Sequence, residues 1–260
     1  MKKTLGVIPA RMASSRFPGK PLKEILGIPM LAHCYERAIL SKACDKLVIA
    51  TPDQVIIDWA DKYNIPSLLT SHAHERATER AQEALEILKR QGENYEFILL
   101  LQGDEPQIFP EDIKNLSSAF HGNNFEIVNL VYSINEDDLS NQNVVKAIIS
   151  LESKILFFTR SHVPHRSIQA MRQLGMIGFT HAGLSKYTKL QPTPLEELES
   201  IDMMRLIEND YEILAVMSSS PILGVDNPAD ISKAEQMMAD DTLISSYSCL
   251  LYTSPSPRDS

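Results

Sequence analysis

Apolar positions along the chain fall into two alternating rhythms. Short continuous runs, "TLGVIPA" (4–10), "KLVIAT" (46–51) and "FILLLQGDEP" (97–106), predict buried strands. Between them, "PMLAHCYERAILSKA" (29–43), "QVIIDWADKY" (54–63) and "ATERAQEALEILKRQ" (77–91) space their apolar residues three and four apart, which predicts helices; Ala77, Ala81, Leu85 and Leu88 share one face of the third. Strand, helix, strand, helix, strand is the pattern of a mainly parallel sheet with helices on both faces, an α/β fold whose ligands bind at the carboxyl ends of strands.

From about Glu126 the rhythm changes. "EIVNLVYSI" (126–134), "NVVKAIISL" (143–151), "KILFFTR" (154–160) and "LGMIGFTHAG" (174–183) predict strands with few helices between them, so 126–190 reads as a smaller β-rich extension. A helix over 194–210, a strand over 211–217 and a last helix opened by "VDNPAD" follow. No repeat or low-complexity linker divides the chain, and residues 1–248 are expected to form one domain. The stretch "CLLYTSPSPRD" (249–259) resembles a translated sequencing adapter; 249–260 are expected to be disordered, with the natural chain readable to about Ser248.

Composition narrows the function. With 25 Lys and Arg against 34 Asp and Glu, the net charge of −9 argues against nucleic-acid binding while leaving room for a local cationic pocket. No apolar run reaches membrane-spanning length and the N-terminus lacks a secretory pattern, so a cytoplasmic protein is expected. Cys34 and Cys44 have neither redox-pair nor zinc-site spacing and read as reduced structural thiols.

Against that acidic background, the loop after the first strand concentrates Arg11, Ser14, Ser15, Arg16 and Lys20. Guanidinium forks, hydroxyls and an ammonium are the donor set that holds a polyphosphate, here without the glycine spacing of a P-loop. Asp104 and Glu105 follow the most apolar strand, and Asp226 stands before a helix at "VDNPAD". Carboxylates at the same sheet edge suit Mg²⁺, which binds one or two of them together with substrate phosphates. The pattern therefore predicts metal-assisted phosphoryl or nucleotidyl transfer. His72 and His74 are two apart and cannot converge on a metal from one helix face; His162 and His165, with Arg160 and Arg166, read as a surface loop.

In this order, "IPARMASSRFPGKPL", "LQGDEP", "NVVKAI", "QPTPLEELE" and "GVDNPADI" resemble the 3-deoxy-manno-octulosonate (Kdo) cytidylyltransferases of lipopolysaccharide biosynthesis, over Leu5 to Met238. The resemblance implies a Rossmann-like nucleotidyltransferase fold with a dimerisation extension, a homodimer, CTP and a keto-sugar acid as substrates, and Mg²⁺ as cofactor. It implies that Arg11, Ser14, Arg16 and Lys20 hold the triphosphate, with Lys20, Arg16 and Asp104 as the catalytic set. Asp104 and Asp226 would carry Mg²⁺, and Gln102 would lie near nucleotide and sugar. Thr78 and Arg80 match nucleotide-side positions, and Gln173, Glu199 and Asp202 fall at sugar-side positions.

The departures are local. Arg76 and Ala77 replace a Ser-Gly pair, Gln173 replaces a His, and Asp202-Met203 replaces Glu-Gln. Arg76 either contacts an anionic group or fills part of the pocket, and Ala77 would be strained if its φ were positive. Met203 in place of Gln removes a polar group from sugar recognition. Three readings stay open: transfer to Kdo or to a modified acid such as its 8-amino analogue, transfer from another nucleotide, and nucleotide binding with weakened turnover.

Overall fold

Leu5 and Val7 of the first strand, β1 (Thr4–Pro9), belong to one core layer and Ile8 to the other. The same division runs through β4 (Lys46–Thr51), with Val48 and Ala50 against Leu47 and Ile49, and β6 (Phe97–Leu100), with Ile98 and Leu100 against Phe97 and Leu99. Strands apolar on both faces need cover on both faces. Helix α3 (Ala77–Arg90) covers one through Ala81, Ala84, Leu85 and Leu88; α1 (Met30–Ser41), α2 (Gln54–Lys62) and α4 (Pro110–Ser118) cover the other. The computed structural model describes residues 2–13, 17–122, 124–164, 171–222 and 224–252.

The sheet is mixed and mainly parallel. Its main path runs β11 (Leu214–Met217), β7 (Ile127–Ser133), β10 (Met171–Thr180), β6, β1, β4, β5 (Ser67–Leu69), and on that path β10 runs against its neighbours β6 and β7. Within the stretch read as a β-rich extension, β7 and β10 are therefore part of the central sheet. Strands β8 (Lys146–Ile149) and β9 (Ile155–Thr159) form an antiparallel hairpin attached to the start of β10. A small hairpin, β2 (Glu24–Ile25) with β3 (Ile28–Pro29), leads into α1. The short α5 (Glu136–Ser140) links β7 to β8, and α6 (His181–Lys189) follows β10, with Leu184 and Tyr187 buried.

The helix expected over 194–210 is two short helices, α7 (Pro194–Glu199) and α8 (Met204–Glu208), because Ser200 adopts left-handed φ of 54°. A buried ion pair replaces the missing helical turn: Arg205 Nε and Nη2 each donate to a Glu196 carboxylate oxygen at 2.7 Å. The bidentate geometry satisfies both groups away from water. After β11, α9 (Pro228–Met238) is followed by α10 (Thr242–Tyr252), which extends four residues into the segment expected to be disordered.

Helix α10 is fastened to α1 through buried polar groups. His33 Nε2 must donate to Ile25 O at 2.9 Å, which leaves Nδ1 to accept from the Tyr247 hydroxyl at 2.8 Å. The wholly buried Arg37 donates to the same hydroxyl at 3.2 Å and pairs with Asp241. Burial pushes the His33 imidazole down to about 4, against an opposing pull from its bond to Ile25 O. Burial likewise raises both thiols, Cys34 beyond the usual range and Cys44 to about 12, in keeping with structural roles.

Candidate active site

Parallel strands bring their following loops to one edge of the sheet, and there a cleft of about 270 Å³ opens. Arg11 and Lys20 reach it from the loop after β1, Arg76, Ala77 and Arg80 from the start of α3, Gln102 and Asp104 from the loop after β6, and Asp226 from the approach to α9. The β1 loop is shaped by two contacts. Met12 N donates to Asp53 Oδ2 at 2.7 Å, and Gly19, at a φ of 73° that suits glycine, returns its N–H to Met12 O at 3.0 Å before the single turn Lys20–Leu22.

Charge is densest where the first and last of these segments meet. Lys20 Nζ donates to Asp104 Oδ2 at 2.7 Å and to Val225 O at 2.8 Å, and lies 3.9 Å from Asp226 Oδ1. Val225 N in turn donates to Asp104 O at 2.9 Å, locking the two acidic loops together. The Lys20 side chain is 12% exposed whereas those of Asp104 and Asp226 are 36% and 48% exposed, so the ammonium sits beneath two carboxylates that open to the cleft.

From the start of α3, Arg80 also lines the cleft; it is buried and donates to Thr70 Oγ1 at 2.5 Å and Ser71 O at 3.0 Å. Burial, and then the neighbouring Arg11 cation, lower its pKa, so the pair gains from an anion between them. Arg76 lines the cleft with Nη2 3.7 Å from Glu196 Oε1, whose two oxygens already serve Arg205. Ala77 is the first residue of α3 and is absent from the positive-φ positions, so the strain considered from the sequence does not arise.

The remaining expected residues separate into three groups. Thr78, next to the lining residue Ala77, is buried and donates to Asp202 Oδ2 at 3.1 Å; burial raises the Asp202 carboxyl, and its bond to Thr78 opposes this. Glu199 faces the β8–β9 hairpin, accepting from Thr159 Oγ1 and Arg160 N at 2.9 Å each. Gln173 donates from Nε2 to Asn129 Oδ1 at 2.7 Å. None of these four lines the 270 Å³ cleft. Met203 is wholly buried in the core, so it is not a surface of sugar recognition. Ser14 and Arg16, together with His165 and Arg166, lie outside the described residues.

Two buried ionisable groups have surroundings that their positions in the sequence do not show. Glu105, beside Asp104, is buried, and burial first, then Asp104, push its carboxyl up to about 7 while Oε1 accepts from Gly175 N at 3.0 Å. Lys146, an isolated cation in an apolar strand, is wholly buried and donates to Asn141 O at 2.6 Å and Arg160 O at 3.0 Å, with its pKa lowered by burial. Lys146 stands out in the sequence as an ionisable residue in an otherwise apolar strand, whereas Glu105 lies in the loop after β6 and its burial depends on tertiary partners such as Gly175.

A cationic cleft with paired carboxylates at the edge of such a sheet defines a nucleotidyltransferase, and the cytidylyltransferase family profile matches residues 5–213: the chain belongs to the cytidylyltransferase family. Its similarity extends to the 3-deoxy-manno-octulosonate cytidylyltransferases. The mitochondrial protein of Arabidopsis thaliana is 33% identical over 246 residues, spanning 92% of this chain and 84% of that protein. The protein of Pseudoalteromonas translucida is 34% identical over 241 residues, spanning 87% and 94%. Among solved structures, a CMP:2-keto-3-deoxy-manno-octonic acid synthetase complexed with CTP superposes with a TM-score of 0.85 at 28% identity, over 92% of this chain and 99% of that one.

Proposed function

We propose that this chain transfers CMP from CTP to the anomeric hydroxyl of 3-deoxy-D-manno-octulosonate, releasing pyrophosphate. The observation that carries the reading is the meeting of Lys20, Asp104 and Asp226 in a cleft that Arg11, Arg76 and Arg80 also line. The names of the relatives supply the sugar acid. A protein in the cytoplasm, acting as a homodimer, belongs to the same proposal.

The chemistry asks little covalent work of the protein. The anomeric oxygen attacks the α-phosphorus in line, the bond from that phosphorus to the bridging oxygen breaks, pyrophosphate departs and the hydroxyl proton passes to solvent. Binding both reactants in one cleft converts the encounter into an intramolecular step. Arg11 and Arg80 would grip the triphosphate, and Lys20 would face the charge that builds on the leaving pyrophosphate. Ser14 and Arg16, from the same loop, would complete that grip.

The donor set fits Mg²⁺: two partly exposed carboxylates share one cation, leaving the remaining positions for phosphate oxygens and water. Asp104 and Asp226 would hold the ion. When bound, Mg²⁺ neutralises phosphate charge and polarises the reacting phosphoryl group.

A second reading, transfer to a different keto-sugar acid, rests on the extra guanidinium of Arg76 in the cleft lining meeting the acid's carboxylate instead of a CTP phosphate. Pyrophosphate release by the full chain with CTP and Mg²⁺ tests both, comparing Kdo, its 8-amino analogue and sialic acid. Turnover with Kdo is the expected result; turnover with another of these acids alone supports the second reading. CTP binding without turnover of any of them would overturn both.

A further inference from the structure

Strand β10 carries a bulge at the edge of the site. Gln173 pairs with Val131 and Ile177 with Asn129, so residues 174–176 of β10 stand opposite Leu130 alone. A three-against-one bulge leaves carbonyls without ladder partners, and such groups inside a protein require others. Asn129 supplies them: its wholly buried Nδ2 lies 2.9 Å from Leu174 O, 3.1 Å from Met176 O and 3.0 Å from Leu130 O. Its Oδ1 accepts from Gln173 Nε2 at 2.7 Å, which fixes the orientation of the Asn129 amide.

The bulge pushes the Gly175 peptide toward the loop after β6. Gly175 O accepts from Gln102 Nε2 at 3.0 Å, and Gly175 N donates to Glu105 Oε1 at 3.0 Å. The approach is so close that a Cβ on residue 175 would fall 2.2 Å from Gln102 Cγ and 2.9 Å from Glu105 Oε1. Only the NH₂ of a carboxamide can donate to a carbonyl, so Gln102 is turned with Oε1 as its remaining acceptor. Gln102 lies on the β10 side of the cleft, whereas Arg11 and Arg80 come from the β1 loop and from α3.

We propose that Asn129, Gln173 and Gly175 are positioning residues for Gln102: the bulge they build turns the Gln102 carboxamide so that Oε1 takes a hydroxyl of the sugar acid. This rests on the transfer function proposed above and gives Gln173 a part in sugar recognition without contact.

Gly175→Ala tests the arrangement, with Gln173→Met as the milder variant should the first not fold. In Gly175→Ala the KM for the sugar acid rises tenfold or more, and in Gln173→Met about threefold, while the KM for CTP stays within twofold. In a Gln102→Ala background the same substitutions raise the sugar-acid KM by less than twofold, because the side chain they misplace is gone. An unchanged KM in the single variants, or the same penalty in both backgrounds, overturns the proposal. Wild-type protein that turns over no sugar acid would instead overturn the function, and a crystal structure of the variant then decides the positioning by itself. A Gln102 carboxamide rotated off Gly175 O supports it, and an unmoved one refutes it.

Discussion

Lys20 Nζ stands 2.7 Å from Asp104 Oδ2, with Asp226 Oδ1 3.9 Å away. One ammonium thus shares the pair of carboxylates proposed to hold a divalent cation. A lysine and a metal would compete for the same negative charge, so Lys20 would be free to turn toward phosphate where Asp104 and Asp226 held a divalent ion. Lys20→Met is expected to lower pyrophosphate release by about 100-fold or more, and to tighten Mn²⁺ binding in the absence of nucleotide. Steady-state kinetics and electron paramagnetic resonance titration read the two effects; unchanged turnover would remove Lys20 from the triphosphate site.

Asp104→Asn should shift the Mg²⁺ dependence of turnover to higher concentration by about tenfold, since one anionic ligand becomes a neutral one. A magnesium titration of initial rates checks it. A curve superimposable on wild type would count against Asp104 as a ligand.

Arg76→Ser is expected to weaken CTP binding about three- to tenfold, and more at low ionic strength, because the guanidinium lies in the cleft wall with Glu196 at 3.7 Å as its ion-pair partner. Calorimetric titration with CTP at two salt concentrations measures this. Tighter binding in the variant would mean that the side chain fills space the nucleotide needs.

His33 makes stability depend on pH. Its folded-state pKa of about 4 lies below the ordinary 6.5, so the unfolded chain takes the proton first. The contribution is complete above pH 6.5 and is lost as pH falls toward 4, amounting to about 3 kcal/mol across the window. The facing groups are Tyr247, Arg37 and Asp241, and protonation at Nδ1 would set a new N–H against a hydroxyl that already accepts from Arg37. Urea unfolding between pH 7 and 4 should show the slope, flattened in His33→Asn; equal slopes would place the pH dependence elsewhere.

Much of this was legible because the first hundred residues obey their local signals. Continuous apolar runs became β1, β4 and β6, and the expected helical face of Ala81, Leu85 and Leu88 packs on them. Of the acids and cations expected at one sheet edge, Arg11, Lys20, Asp104 and Asp226 line one cleft there, because successive parallel strands deliver their following loops to the same edge. What escaped depends on tertiary partners. Helix α4 offers only Ile113 and Leu116 as buried apolar positions, too few for a period, and α6 was absorbed into the apolar end of β10. The break at Ser200 has its tertiary partner in the Glu196–Arg205 pair across it, nine residues apart in sequence and outside any local pattern. Gly175 is one glycine in an apolar run until the bulge brings Gln102 against it.

The position of β10 also sets a timetable for the chain leaving the ribosome. β1, β4, β5 and β6 can pair once residue 100 has emerged, yet β7 joins the main sheet only through β10, whose residues are 171–180. Until then the nascent half-sheet carries the open edge of β6, whose residues Phe97 to Leu100 are wholly apolar. That edge is a template for pairing with a neighbouring chain during synthesis. The antiparallel strand that carries the Gly175 bulge is thus also the late piece that closes the sheet against aggregation.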